Sequence, residues 1–232
     1  MNFSRLHTAQ HTKTYDEGLR SFMLQFFNYM ALGLALTGVV ALFTASIPSL
    51  TAMVLSDRFL ITIALIGIIM AMSFGFNKMN YPTLKTLYWT FCALQGLVFS
   101  IYFLIYTGGS IARVFLITAS VFGAMSIYGY TTKRNLTNFG SFLMMGLIGV
   151  FLIMIVNLFL KSSGLMYLIS FAILAIFIGF TAYDVQKLRN IYYNLGGTSE
   201  VAKKAGLMSA LSLYLDFINI FVVLLHLMGD RR

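Results

Sequence analysis

The stretch from Met208 to Leu225, MSALSLYLDFINIFVVLL, decides the fold of this chain. It is long enough and apolar enough to cross a lipid bilayer as a helix. Near its middle lies Asp216, an acidic residue in a place where a charge costs several kcal/mol. Such a helix has to turn its polar side toward protein or water, so we expect the last helix to lie at the centre of a bundle, surrounded by the six other membrane helices.

Polar residues of this stretch share one side of the helix. Ser209, Ser212, Asp216 and Asn219 follow one another at steps of three, four and three, and His226 lies seven residues beyond Asn219. Residues at this spacing lie on one face of an α-helix. The pattern predicts a polar stripe that lines a path or cavity inside the protein.

The amino-acid composition is that of a membrane protein. Hydrophobic residues make up 59% of the sequence and charged residues 10%, far from the average of soluble proteins. The formal charge of +9 comes from basic residues in loops, where they orient the protein and meet anionic lipids, so nucleic acid is not expected as a partner. The single cysteine, Cys92, lies in an apolar stretch and predicts a small buried side chain. We expect an all-α, polytopic membrane protein with no cofactor.

Seven apolar segments have the length of a membrane span. We predict a tail over residues 1–21, a seven-helix domain over 22–229 and a short C-terminal tail over 230–232. The approximate segments are Phe22–Ala45, Phe59–Phe76, Leu84–Tyr106, Ile111–Tyr130, Phe139–Leu160, Leu165–Asp184 and Ala205–Met228.

Loop charges predict the orientation, because basic residues accumulate on the cytoplasmic side. With a cytoplasmic N-terminus, eleven basic residues fall inside and five outside. The inner group is Arg5, Lys13, Arg20, Lys78, Lys85, Lys133, Arg134, Lys187, Arg189, Lys203 and Lys204, and the outer group is Arg58, Arg113, Lys161, Arg231 and Arg232.

A second aspartate is the natural companion of Asp216. Asp184, in FIGFTAYDVQKLR, lies near the end of the sixth segment, and the other five acidic residues lie in tails, loops or at membrane edges. If the two carboxyls meet, they cannot both ionise cheaply and would titrate as one unit, with the deeper Asp216 holding the shared proton more often. Paired carboxylates are also hard oxygen ligands that suit Ca²⁺. The simpler reading is that each aspartate hydrogen-bonds across helices, or that Asp184 reaches the interface beside Lys187 and Arg189.

The loop between the last two segments carries helix-ending and helix-starting signals. Gly196-Gly197 predicts the end of one helix, and Thr198 or Ser199, followed by Glu200, predicts the N-cap of the next. The loop is either an ordinary connector or a hinge for the last helix.

The quoted motifs resemble a known family. ALSLYLDFINIFVVLLHLMG, FTAYDVQKLRN and YMALGLALTGVVAL are similar to segments of the Bax inhibitor-1 (transmembrane BAX inhibitor motif) family, including its bacterial members. The resemblance implies a bundle of seven helices, with the last helix at its centre, in a bacterial inner membrane. It also implies a pH-sensitive calcium leak in which Asp184 and Asp216 bind the ion transiently and sense protons, with Tyr183 beside them.

Some bacterial members of the family look as if a basic residue on the second helix binds the aspartate pair and closes the protein. This chain departs from that pattern. Phe59–Phe76 contains no basic residue, and Lys78, just beyond it, is the possible latch.

Two other functions stay open. The chain could be a non-conducting regulator that binds other membrane proteins, such as a quality-control protease. It could also be an intramembrane aspartyl protease, although LYLD at Leu213–Asp216 has bulky residues where such enzymes carry the glycines of GxGD, and no Pro-Ala-Leu sequence occurs.

Overall fold

The computed structural model describes the backbone of residues 3–232 and the side chains from Glu17 onward. Arg5 and Lys13, two of the basic residues assigned to the cytoplasmic side, therefore lie outside the described side chains. The described residues form eight helices: α1 (Phe3–Ala45), α2 (Pro48–Ser56), α3 (Arg58–Phe74), α4 (Tyr81–Ile105), α5 (Gly108–Thr131), α6 (Thr137–Leu160), α7 (Ser163–Leu195) and α8 (Glu200–Met228).

Six of these helices are long and apolar enough to cross a membrane, and the pair formed by α2 and α3 can supply a seventh span. The two helices of that pair are bent by 72° at Asp57. The all-α membrane fold is confirmed, and the seven segments are compatible with it. The short helix α2, which begins at Pro48, was not predicted. Proline is well suited to a first helical position because that position has no intrahelical donor to lose.

Local signals account for the boundaries of the last two helices. Gly196 adopts a left-handed conformation with φ of 73° at the end of α7, where a side chain would be strained. The hydroxyl of Ser199 accepts a hydrogen bond of 3.1 Å from the amide of Ala202 and so caps α8. Both predicted boundary signals are confirmed.

Helix α8 is the centre of the bundle. Of the most apolar stretch of α8, 72% is buried, against 33% or less for the other spans. It packs against α1, α4, α5 and α7. The expectation that all six other spans surround it was wrong, because α3 packs mainly on α4 and α6 mainly on α7. Four helices suffice to enclose α8, and the remaining two form an outer layer.

Polar contacts inside the bundle join α8 to its neighbours. The Tyr214 hydroxyl lies 2.6 Å from Thr37 Oγ1 of α1, and Thr37 also donates to the carbonyl of Cys92 in α4. At the start of α8, the buried ammonium of Lys204 donates to the carbonyls of Phe76 and Met79, at 3.1 and 3.2 Å. These bonds satisfy polar groups that would otherwise be costly in an apolar interior.

Candidate functional site: an acidic crevice beside the central helix

A cavity of about 540 Å³ lies between α6 and α8, with α7 at its back. We call it the acidic crevice, because both intramembrane aspartates line it. The lining residues are Gly140, Ser141, Met144 and Leu147 of α6, Phe177, Phe180, Tyr183, Asp184 and Lys187 of α7, and Ser212, Leu215 and Asp216 of α8. The tertiary structure therefore brings the two predicted site residues to one cavity.

Two glycines let the neighbouring helices approach α7 where it carries Asp184. A Cβ atom at Gly129 of α5 would overlap the carbonyl of Ala182, and a Cβ atom at Gly140 of α6 would lie 2.5 Å from the ring of Tyr183. At Gly129 the obstacle is backbone, so a larger residue would push α5 and α7 apart, whereas at Gly140 the ring of Tyr183 would have to move. The small residues thus fix the back wall of the acidic crevice.

The start of α6 is also held by side chains of α7. Gln186 accepts a hydrogen bond of 2.8 Å from the amide of Leu136 and donates one of 2.8 Å to the carbonyl of Arg134. Arg189 donates to the carbonyl of Thr132. Buried polar contacts of this kind specify geometry, so the loop before α6 keeps the front wall of the crevice at a defined distance from α7.

The two carboxyl groups are buried and interact electrostatically with each other. Asp184 is 7% exposed and Asp216 is 4% exposed. The two carboxylates repel one another, and Lys187 attracts both. The Oδ2 atom of Asp216 is buried and has no hydrogen-bond partner among the described residues. A buried oxygen without a partner is costly, and in native structures it often belongs to a site that binds something.

This arrangement is suited to binding a cation. Carboxylate oxygens and the hydroxyls of Ser212 and Tyr183 are hard ligands of the type that Ca²⁺ prefers. Within the described part of the chain, no three or more His, Cys, Asp or Glu side chains cluster as a metal site. Two carboxylates supply only part of the shell of a calcium ion, which takes about six to eight oxygens, so water would complete it.

The structure places the predicted stripe only partly in the crevice. Ser212 and Asp216 line it. Ser209 is buried outside it, and the Asn219 amide donates to the carbonyl of Leu215 in its own helix, at 2.7 Å. His226 is exposed at the other end of α8, with its ring centre 6.0 Å from that of Tyr102. The stripe therefore divides because each turn of α8 meets a different neighbour.

The possible latch, Lys78, does not reach the pair. It is exposed and lies outside the crevice lining. Lys204, on α8, instead donates hydrogen bonds to the carbonyls of Phe76 and Met79, in the turn that follows α3. The cation that faces the aspartates is Lys187, one helical turn beyond Asp184.

Sequence reasoning missed the contribution of α6. Gly140 and Ser141, in the segment NFGSF, form a small and polar patch at the start of that helix. This patch was a weak signal, because glycine and serine are common in membrane helices for packing reasons alone. The aromatic residues of the crevice, Phe177 and Phe180, had no signal that separated them from residues facing lipid.

Comparison with known proteins extends over nearly the whole chain. The family described as inhibitor of apoptosis-promoting Bax1 matches residues 19–232. An uncharacterized protein of Rickettsia prowazekii (strain Madrid E) is 47% identical over 229 residues, which cover 98% of this chain and 97% of the relative. The inner membrane protein YbhL of Escherichia coli (strain K12) is 41% identical over 220 residues, 93% of this chain and 94% of the relative. A protein of Caulobacter vibrioides is 41% identical over 228 residues, 94% of this chain and 91% of the relative.

Proposed function

The chain belongs to the Bax inhibitor-1 family of membrane proteins, and from this premise we propose that it is a pH-sensitive calcium leak channel of a bacterial inner membrane. The name of the Escherichia coli relative supports that location, and the count of basic residues supports a cytoplasmic N-terminus. The family description refers to inhibition of a protein and not to catalysis, which favours a channel or a regulator over a protease.

One observation carries the proposal: Asp184 and Asp216 are both more than nine-tenths buried and line one cavity. Ionisable groups inside a membrane protein mark ion and proton pathways because they are expensive to place there. The Oδ2 atom of Asp216 finds no hydrogen-bond partner in the part of the chain that the structure describes, which adds to this argument, since a purely structural carboxyl would be paired.

Protons and calcium compete for the same oxygens in this mechanism. With both carboxyls protonated, the acidic crevice carries no negative charge and attracts no calcium. Loss of protons creates repulsion between Asp184 and Asp216, and a divalent cation relieves it. Calcium affinity therefore rises with pH, and the leak varies with pH between about 5 and 8.

The two aspartates have different roles in the proposal. Asp216 lies near the middle of its apolar segment and Asp184 near the end of its own. In the proposal Asp216 therefore bears the larger desolvation cost and holds the shared proton more often. Asp184 is next to the exposed Lys187 and remains the anion that a cation meets first. The pair acts as a unit, so the effects of removing each carboxylate do not add.

Calcium flux into proteoliposomes at several pH values tests the proposal. Asp184→Asn should lower the flux by about tenfold or more, the loss expected for one charge-assisted contact. Asp216→Asn should flatten the pH profile, and the double variant should lose little beyond the larger single loss. Asp230→Asn is the matched control, because Asp230 is exposed and pairs with Arg113 away from the crevice. Purified protein that passes no calcium at any pH would favour the non-conducting regulator.

A further inference from the structure

The acidic crevice is larger than a calcium ion requires. An ion with six to eight water-sized ligands, each about 30 Å³, occupies roughly 200 Å³. The crevice has about 540 Å³, which falls within the usual range of small-molecule sites, about 300–1,000 Å³. The remaining space needs a second explanation.

Apolar side chains form most of the wall of this space. Met144 and Leu147 of α6 face Phe177 and Phe180 of α7, and Leu215 of α8 completes the surface. A hydrated ion gains nothing from such a wall. A wide apolar surface with a few convergent charges at its base is instead typical of a site for an organic ligand.

The base of the crevice provides acceptors for a positively charged donor. Asp216 is 4% exposed, and its Oδ2 atom has no hydrogen-bond partner among the described residues. Asp184 lies near enough to repel it electrostatically. An ammonium group has three donors and no acceptor, so one such group can satisfy oxygens of both carboxyls and relieve their repulsion.

We propose that the acidic crevice is a binding site for amphiphilic organic amines, which place an ammonium group between Asp184 and Asp216 and an apolar body against Phe177 and Phe180. The aromatic rings add a favourable face for a cation and for an alkyl or aryl chain. The amine site needs the crevice and its charges only, and it does not rest on ion flux.

Substitution of Lys187 is expected to change the amine affinity in the opposite direction from substitution of an aspartate. The Lys187 side chain is exposed and lines the crevice, where its charge opposes the entry of another cation. Removing that charge should strengthen amine binding while removing an aspartate weakens it. A nonspecific partition of amines into lipid or detergent would respond to neither substitution.

The experiment is equilibrium dialysis of labelled phenylbutylamine against the full chain in nanodiscs, with empty nanodiscs subtracted. Phenylbutanol has the same apolar body without the charge, and methylamine has the charge without the body. We expect phenylbutanol to bind about tenfold or more weakly than phenylbutylamine, because the charge-assisted bonds are missing. Methylamine should also bind much more weakly, because it leaves the apolar wall uncovered.

Variants locate the site. Asp216→Asn and Asp184→Asn should each weaken phenylbutylamine binding by about tenfold or more, and Lys187→Gln should strengthen it by about twofold to tenfold. Leu147→Trp fills the apolar part and should weaken phenylbutylamine without changing methylamine. Asp230→Asn, far from the crevice, should bind as the unchanged protein does. Each variant is first compared with the unchanged protein for a single symmetric elution peak, so that loss of fold is recognised.

Equal binding of phenylbutylamine and phenylbutanol, or unchanged amine binding in both aspartate variants, would overturn the amine site. Calcium flux measured on the same preparations separates this result from the channel proposal. A leak without amine binding contradicts the amine site alone. Amine binding without a leak contradicts the channel alone and supports the amine site.

Discussion

Two cavities beside the central helix differ in size, polarity and charge, although adjacent residues of that helix line them. The acidic crevice contains Asp216, and a second cavity of about 90 Å³ begins at Phe217. We call the second cavity the aromatic pocket. Its lining residues are Leu34, Thr37, Gly38, Ala41, Phe99, Tyr102, Phe103, Ile111, Phe115, Phe217, Ile218 and Phe221. Successive residues of a helix point to different sides, so one helix can line a polar and an apolar space at the same level.

The aromatic pocket is narrow and closed by rings. The ring centres of Phe115 and Phe217 are 5.3 Å apart, and those of Phe99 and Phe221 are 6.1 Å apart. No charged side chain is among the described residues that line it. A cation that leaves the acidic crevice on this side meets no carboxylate among the lining residues, and only the hydroxyls of Thr37 and Tyr102 could replace part of its water. The pocket is therefore the expected barrier of the proposed channel.

The neighbouring helices determine whether each side of α8 lines a polar or an apolar space. On the side of the aromatic pocket, α4 and α5 supply large rings, and α1 supplies smaller side chains that pack beside them. On the other side, α6 packs on α7 and leaves a gap beside α8. Polar residues of α8 are therefore tolerated where the gap admits water, and apolar residues are required where packing excludes it.

The largest effect is expected when a carboxyl group is placed in the aromatic pocket, which removes the difference in polarity between the two cavities. Ile218 is 7% exposed and lines that pocket, two residues from Asp216. Ile218→Asp should lower the free energy of unfolding by about 3–5 kcal/mol, because the new charge is buried without a partner. Titration with a denaturing detergent in mixed micelles measures it. Ile218→Leu is the control and should cost less than about 1.5 kcal/mol. Equal losses in the two variants would mean that the pocket already contains water.

A smaller effect is expected from a single methyl group behind the acidic crevice. Gly129→Ala places a Cβ atom against the backbone of Ala182, which cannot rotate away, so α5 and α7 must separate. We expect a loss of about 1–3 kcal/mol in the free energy of unfolding. Gly123→Ala, on the same helix, is the matched control, because nothing lies within 4 Å of its added Cβ atom. If both substitutions have the same effect on detergent unfolding, the close contact of α5 with α7 does not support the crevice.

The smallest effect has the opposite sign. Asp216→Leu should raise the free energy of unfolding by about 1–2 kcal/mol, because it removes a buried carboxyl whose Oδ2 atom has no partner among the described residues. The exposed Asp230, substituted by Asn, should change it by no more than about 0.5 kcal/mol. Stabilisation would indicate that Asp216 is retained for function at a cost in stability. A clear destabilisation by Asp216→Leu would mean that the carboxyl holds the bundle together.

Properties that depend on local chemistry or on the polarity of one helix could be predicted from the amino-acid sequence. The apolar segments predicted the spans, Gly196 predicted the end of α7, and Ser199 predicted the start of α8. The central place of α8 also followed from the sequence, because a helix carrying Asp216 cannot face lipid at low cost. Each of these inferences needs only neighbouring residues and the surrounding solvent.

Which residues share a cavity could not be predicted in this way, because it depends on how the helices pack. The stripe on α8 predicted one continuous polar surface, yet only Ser212 and Asp216 reach the acidic crevice, while His226 lies at the other end. Lys187, and not Lys78, faces the aspartates. The identity of the four helices that pack against α8, and the gap between α8 and α6, also could not be predicted from the sequence. These outcomes depend on the packing of helices distant in sequence, where close contacts such as that of Gly129 with α7 set the spacing, and hydropathy carries no information about such pairs.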